Sequence, residues 1–251
     1  MNYDREARRA ISSLRGMDRK ALELIEAVES VDMVAIPELC VAISSSTVTF
    51  VGFSCTFGDD GERNIDIGQH GFFEKKTRLR TEAFMAGLKA LGKEIRFLIF
   101  IDDFEFRRVW GWTQSQASLT EECEFQIELV QEESKIPAGS EVKLWSTVEP
   151  VAMKSGCASY EQGLQWAVAP AQSRAIDEIA RMRQTYPRNR QIKLSELRAS
   201  SATGLAVYSL AGEALEMLYP SAIFIHSADH RRDHMLGYRR KRPLPIIHPW
   251  R

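Results

Sequence analysis

Two periods of apolar and polar positions alternate along the chain, and they predict strands alternating with helices. Residues 4–30 read as helical. IPELCVAI (36–43), TVTFVGFSCTF (47–57) and NIDIGQH (64–70) read as strands, rich in β-branched and aromatic residues. EKKTRLRTEAFMAGLKALGK follows with Leu79, Phe84, Leu88 and Leu91 at roughly helical spacing and Lys/Arg on the other side. IRFLIFI (95–101) is almost uninterruptedly apolar and runs into acids, as a strand buried on both faces does.

The same reading continues to the C-terminus. SLTEECEFQIELVQEESK predicts an acidic amphipathic helix, with Ser118 or Thr120 to cap it and Glu121 and Glu122 favoured in its first turn. EVKLWSTV predicts a short strand, and a helical region from about Tyr160 to Thr185 stops at YPRN. KLSELRASSATGLAVYSLAGEALEML predicts a helical pair, and SAIFIHSA a last strand before a basic tail. Strands alternating with helices imply an α/β fold with a doubly wound, mostly parallel, Rossmann-like sheet. The 251 residues suit one catalytic-sized domain, 1–251, with the basic tail starting at about 229.

Charge is uneven. From His226 to Arg251 seven Arg/Lys face only Asp229 and Asp233, which is +5, so a chain of net charge −1 leaves −6 on the remainder. A basic segment on an acidic body suits a polyanion such as nucleic acid or phosphate, and equally a solvated tail. The opening MNYDREARRAISSLRG lacks an apolar h-region, and the apolar runs are too short to span a bilayer, so a cytoplasmic, membrane-free protein is expected. The four cysteines are scattered without a CxxC pair, which predicts neither a zinc site nor a disulfide framework.

In doubly wound sheets ligands bind at the carboxyl ends of strands. Ser54 closes FVGFS there, Asp102, Asp103 and Glu105 follow IRFLIFI, and His226 ends AIFIH. GxGxxG, GxxxxGK[ST] and GxSxG are all missing, which weighs against dinucleotide, P-loop and standard α/β-hydrolase chemistry. HRRDH (230–234) is more often a surface or phosphate-contacting stretch than a metal site.

FVGFS followed by a glycine-containing loop resembles the strand and serine of the tRNA-dependent cyclodipeptide synthases. Those enzymes have a fold like the catalytic Rossmann domain of class I aminoacyl-tRNA synthetases, and they join two aminoacyl groups from aminoacyl-tRNAs into a diketopiperazine. The family's late helix carries Y-x-x-x-E-x-P, and a short strand ending in Tyr-His follows. The similar positions here are Tyr208, Glu213 and His226, in LRASSATGLAVYSLAGEAL and PSAIFIHS. Tyr208 and Glu213 are five apart rather than four, Ile225 replaces the strand tyrosine, and the proline is missing. The pair shares a helix face only if a π-bulge near Gly212 brings it together; otherwise Ser209 or Gly212 takes the tyrosine's place.

The resemblance implies Ser54 as nucleophile, Glu213 and Tyr208 as holders of the substrate amine, and His226 as a proton carrier. It implies no metal and no cofactor, because the ester substrate is already activated. The acids Asp102, Asp103 and Glu105 suit a guanidinium. The likeness is to the outlying fungal branch that uses arginine, which makes arginyl-tRNA the expected partner. Lys75, Lys76, Arg78 and Arg80, with Arg231, Arg232, Arg239 and Arg240 in the tail, are the expected tRNA phosphate contacts. Two alternatives stay open. One is a Rossmann-like hydrolase or transferase acting on a small phosphorylated or nucleotide substrate, with Mg²⁺ as a metal it would use. The other is a non-catalytic RNA-binding protein.

Overall fold

In a computed structural model, residues 35–54, 85–101, 139–185, 189–225 and 238–247 are described, together with 121, 123–125, 127 and 128. The helix expected over 4–30, the strand expected over 64–70 and the basic stretch 75–80 lie outside the described residues.

The β-branched and aromatic run Thr47–Ser54 forms β1, and the apolar run Glu94–Ile101 forms β2 beside it. Their register is parallel from Thr47 opposite Glu94 to Ser54 opposite Ile101. Three shorter strands join them among the described residues: β3 (Glu141–Leu144), β4 (Ile223–Ile225) and β5 (Ile246–Ile247). Every pairing is parallel and the spatial order is β3-β2-β1-β4-β5. That order reverses direction between β1 and β4, as in the Rossmann fold. The expected α/β class is therefore the observed one.

Both faces of the sheet are covered, which is why β1 and β2 read as continuous apolar runs. One face carries Phe50 stacked on Phe97, with ring centroids 5.3 Å apart. The other carries Val51, Leu98, Phe100 and Phe224, which share a core with the helices that follow β3. Phe100 meets the indole of Trp145 edge-on there at 5.3 Å.

Among the described residues the helices traced from end to end are α1 (Ile36–Ser44), α2 (Glu149–Lys154), α3 (Tyr160–Ala167), α4 (Ser173–Gln184) and α5 (Leu194–Leu218). Residues 85–90 and 121–128 are also helical where described, as their amphipathic patterns predict. Gly92, with φ of +73°, lies in the turn that leads from the first of these into β2.

Four expectations are corrected. IPELCVAI is helical, not a strand: Leu39, Ala42 and Ile43 are buried while Val41 is 60% exposed, a helical period that short apolar runs conceal. The region 160–185 is two helices, because Pro170 opens a separate 3₁₀ turn, Pro170–Gln172, between α3 and α4. The stretch 194–218 is one helix rather than a pair. Gly204 and Gly212 do not break it, since both are buried among small residues and packing overrides their weak helix propensity. Finally, β4 is not the last strand. Within the expected basic tail Ile246 pairs with Phe224, Ile247 pairs with Ile225, and the Phe224 N–H donates to the Pro245 carbonyl at 2.8 Å.

Candidate functional site

The register converges three strand ends on one edge. Ser54 ends β1 directly opposite Ile101, which ends β2, and Ile101 is opposite Leu144, which ends β3. On the other side β4 ends at Ile225, after Phe50 pairs with Ile223 and Val51 with Phe224. Adjacent strands lie about 4.8 Å apart, so the backbone of Ser54 sits between the chain segments leading into Asp102 and into His226. This is where the strand order reverses and a crevice opens in doubly wound sheets. Asp102, Asp103, Glu105, His226, Arg231 and Arg232 lie outside the described residues, as do Lys75, Lys76, Arg78 and Arg80.

The α5 residues are fully visible and do not form the expected pair. The helix is regular α from Leu194 to Leu218, with no π-bulge at Gly212. Five residues of regular helix separate side chains by about 140°. Tyr208 is 8% exposed and belongs to the apolar core with Phe100 and Phe224. Ser209, four before Glu213, is fully buried and donates its hydroxyl to the Ala206 carbonyl at 3.0 Å. Glu213 faces a different neighbour altogether.

That neighbour is the strap formed by residues 238–247, part of the expected tRNA-binding tail. Arg239 donates from Nε to Glu213 Oε2 at 2.7 Å, with both side chains about one-fifth exposed. Its guanidinium also lies over the Trp166 ring of α3, 5.2 Å from the centroid. Arg240 donates to the Gly212 carbonyl at 3.0 Å and to the Arg242 carbonyl at 3.1 Å. Burial pulls the Arg240 guanidinium below its ordinary value, and Glu216 and Glu38 oppose that by favouring the charge. The Glu216 carboxylate accepts the backbone N–H groups of Lys241 and Arg242 at 2.9 and 3.0 Å. Arg239 and Arg240 are thus turned inward onto α5 rather than presented to a polyanion.

Beside this ion pair lies a small open cleft between α2, α3 and α5, bordered by Trp145, Glu149, Cys157, Tyr160, Leu210 and Ala214. Trp145 follows the carboxyl end of β3 directly, so this border of the cleft lies at the same end of the strands as Ser54. α3 is started by a reciprocal cap, with Gln162 N–H donating to Ser159 Oγ at 3.3 Å and Ser159 N–H to Gln162 Oε1 at 2.8 Å. Gly163 then lets α3 approach Leu210 of α5 closely. The Cys157 thiol is raised by burial and by Glu213, while Arg239 lowers it. Sequence reading gave Trp145, Cys157, Tyr160 and Trp166 no role in a site. The capping pattern from Ser159 to Gln162 was the one local signal pointing here.

Among the described residues no three His, Cys, Asp or Glu side chains cluster as metal ligands. No helix of the described residues is long and apolar enough to cross a membrane. No protein-family model and no curated protein matches the chain. Among solved structures the chain is similar to the PvcA protein from Pseudomonas aeruginosa, with 11% identity, a TM-score of 0.48 and coverage of 97% of this chain and 83% of that one. A likeness of that degree assigns neither family nor activity.

Proposed function

We propose that the chain is a tRNA-dependent cyclodipeptide synthase, an aminoacyltransferase that needs no ATP and takes arginine from arginyl-tRNA as its first substrate. The observation that carries this reading is the position of Ser54. It ends β1 at the reversal point of the sheet, between the strand leading into the acids and the strand leading into His226.

In this reading the Ser54 hydroxyl attacks the ester carbonyl of the first aminoacyl-tRNA. The tRNA ribose oxygen leaves with a proton, and the amino acid stays as a seryl ester. Backbone N–H groups of the segment after Ser54 hold the oxyanion. The α-amine of the bound residue then attacks the ester of a second aminoacyl-tRNA, giving a dipeptidyl ester on Ser54 and a second free tRNA. The new terminal amine attacks the seryl ester, closing the diketopiperazine and restoring the hydroxyl. His226 carries protons between these oxygens and nitrogens. Asp102, Asp103 and Glu105 receive the guanidinium. Tyr208 stays in the core in this scheme, and Glu213 stays with Arg239. The tRNA contacts fall to Lys75, Lys76, Arg78, Arg80, Arg231 and Arg232, since Arg239 and Arg240 are engaged internally.

The test is mass spectrometry of culture medium from bacteria expressing the chain or its Ser54→Ala variant. Arginine-containing diketopiperazines are expected with the wild type and at least roughly a thousandfold less with the variant, the scale for loss of a nucleophile. Absence of any diketopiperazine from a culture holding soluble wild-type protein would favour the hydrolase or transferase reading instead.

A further inference from the structure

We infer that Trp166 and Glu213 form a binding site for a ligand guanidinium, and that the chain's own Arg239 occupies it in this structure. A carboxylate that takes the N–H edge and an aromatic face that takes the plane are the two elements that select guanidinium over ammonium. Both are in place: Arg239 Nε is 2.7 Å from Glu213 Oε2 and its Cζ lies 5.2 Å from the Trp166 centroid.

Three features distinguish this arrangement from an ordinary bridge between elements. The first is that the strap does not depend on Arg239 for its docking. Arg240 holds the Gly212 carbonyl, Glu216 holds two strap amides, and β5 is in the sheet. Arg239 can therefore leave the cradle while the rest of the strap stays. The second is that the cradle adjoins an open cleft. Leu210 and Ala214, three residues before and one after Glu213 on α5, border that cleft, as does Tyr160 at the start of α3. The third is that Cys157, on the cleft border, senses both charges of the pair, which places them within electrostatic reach of anything bound there.

The ligand class follows from the lining. A guanidinium takes the place of Arg239, and an apolar or aromatic body attached to it lies across the mouth of the small cleft beside Leu210, Tyr160 and Trp145, whose border also carries Glu149. Self-occupation weakens binding in the wild type, because the apparent affinity falls with the fraction of molecules whose cradle is free. The inference stands apart from the synthase reading, since it concerns binding alone and not chemistry at Ser54.

Calorimetric titration of the full chain with Nα-benzoyl-L-arginine amide tests it. Arg239→Ala is expected to bind the probe about tenfold more tightly than the wild type. That gain disappears in Arg239→Ala/Glu213→Gln, and the lysine analogue of the probe binds more weakly throughout. Should Arg239→Ala not fold, Arg239→Lys serves in its place, because it keeps the charge but loses the planar fork; it too is expected to bind the probe more tightly than the wild type. Unchanged affinity in the folded Arg239 variant overturns the inference. So does a gain that survives Glu213→Gln but is lost in Asp102→Asn/Asp103→Asn.

Discussion

Glu213 governs the charge of its surroundings out of proportion to its size. It lies on a helix whose buried positions are apolar or small, and its partner comes from 26 residues further along the chain. The nearby Cys157 thiol reports on the pair: burial raises it most, Glu213 raises it further and Arg239 lowers it. Removing the carboxylate lowers the thiol's pKa and increases the thiolate fraction at mildly alkaline pH; removing the guanidinium does the reverse. Alkylation of Cys157 by iodoacetamide at pH 8, followed by peptide mass spectrometry, is therefore expected to speed up several-fold in Glu213→Gln and to slow in Arg239→Gln. An unchanged rate in both would mean that neither charge reaches the thiol. Cys40 provides the control within the same molecule. It is 4% exposed and its thiol is pushed up to about 11, so it stays unlabelled in all three proteins.

At the scale of elements, α3 and α5 approach each other at one small residue. A Cβ added at Gly163 would lie 2.5 Å from Leu210 Cδ1 and 2.8 Å from its Cγ, closer than side chains tolerate. The better helix propensity of alanine offsets about 1 kcal/mol of the resulting strain, and overpacking costs about 1–3 kcal/mol. Gly163→Ala is thus expected to lower the urea midpoint modestly. The double variant with Leu210→Ala should lose less than the sum of the two single losses, because the second change removes the atoms the first one meets. Equal and additive losses would mean that Leu210 already has somewhere to move. The continuity of α5 belongs to this scale as well. Its glycines suggest a break when read one residue at a time, but a helix buried along much of its length keeps its course where small residues fit against neighbours.

For the molecule as a whole, the strap ties the C-terminal segment to both the sheet and α5, the longest helix among the described residues. Glu216 holds the amides of Lys241 and Arg242, and β5 covers the edge of β4 that would otherwise present unpaired N–H and C=O groups. Glu216→Ala removes two charge-assisted bonds, worth about 1–3 kcal/mol each where water cannot replace them and less at this half-exposed position. Hydrogen exchange should quicken at the Lys241 and Arg242 amides while those of β1 and β2 keep their protection. Simultaneous quickening in β1 and β2 would mean that the strap is part of the core's cooperative unit. At the opposite edge β3 is guarded by charge, with Glu141 paired to both Arg96 and Lys143.

Local pattern was sufficient where a feature depends on neighbours in sequence. The apolar runs of β1 and β2 and the alternation that implies a parallel α/β sheet follow from short-range periodicity, because strand burial on two faces imprints itself directly on composition; the end of β1 at Ser54, short of the 47–57 expected, did not. Tertiary structure alone decided what depends on distant partners. It decided that 36–44 is a helix, that the basic tail contains a strand and docks on α5, that Tyr208 faces the core, and that Glu213 meets Arg239 and Trp166 instead. The physical reason is that a charged side chain carries no mark of its partner in the sequence. Which cation Glu213 meets is set by the sheet order that brings residue 239 back over residue 213, and that order is a property of the folded chain.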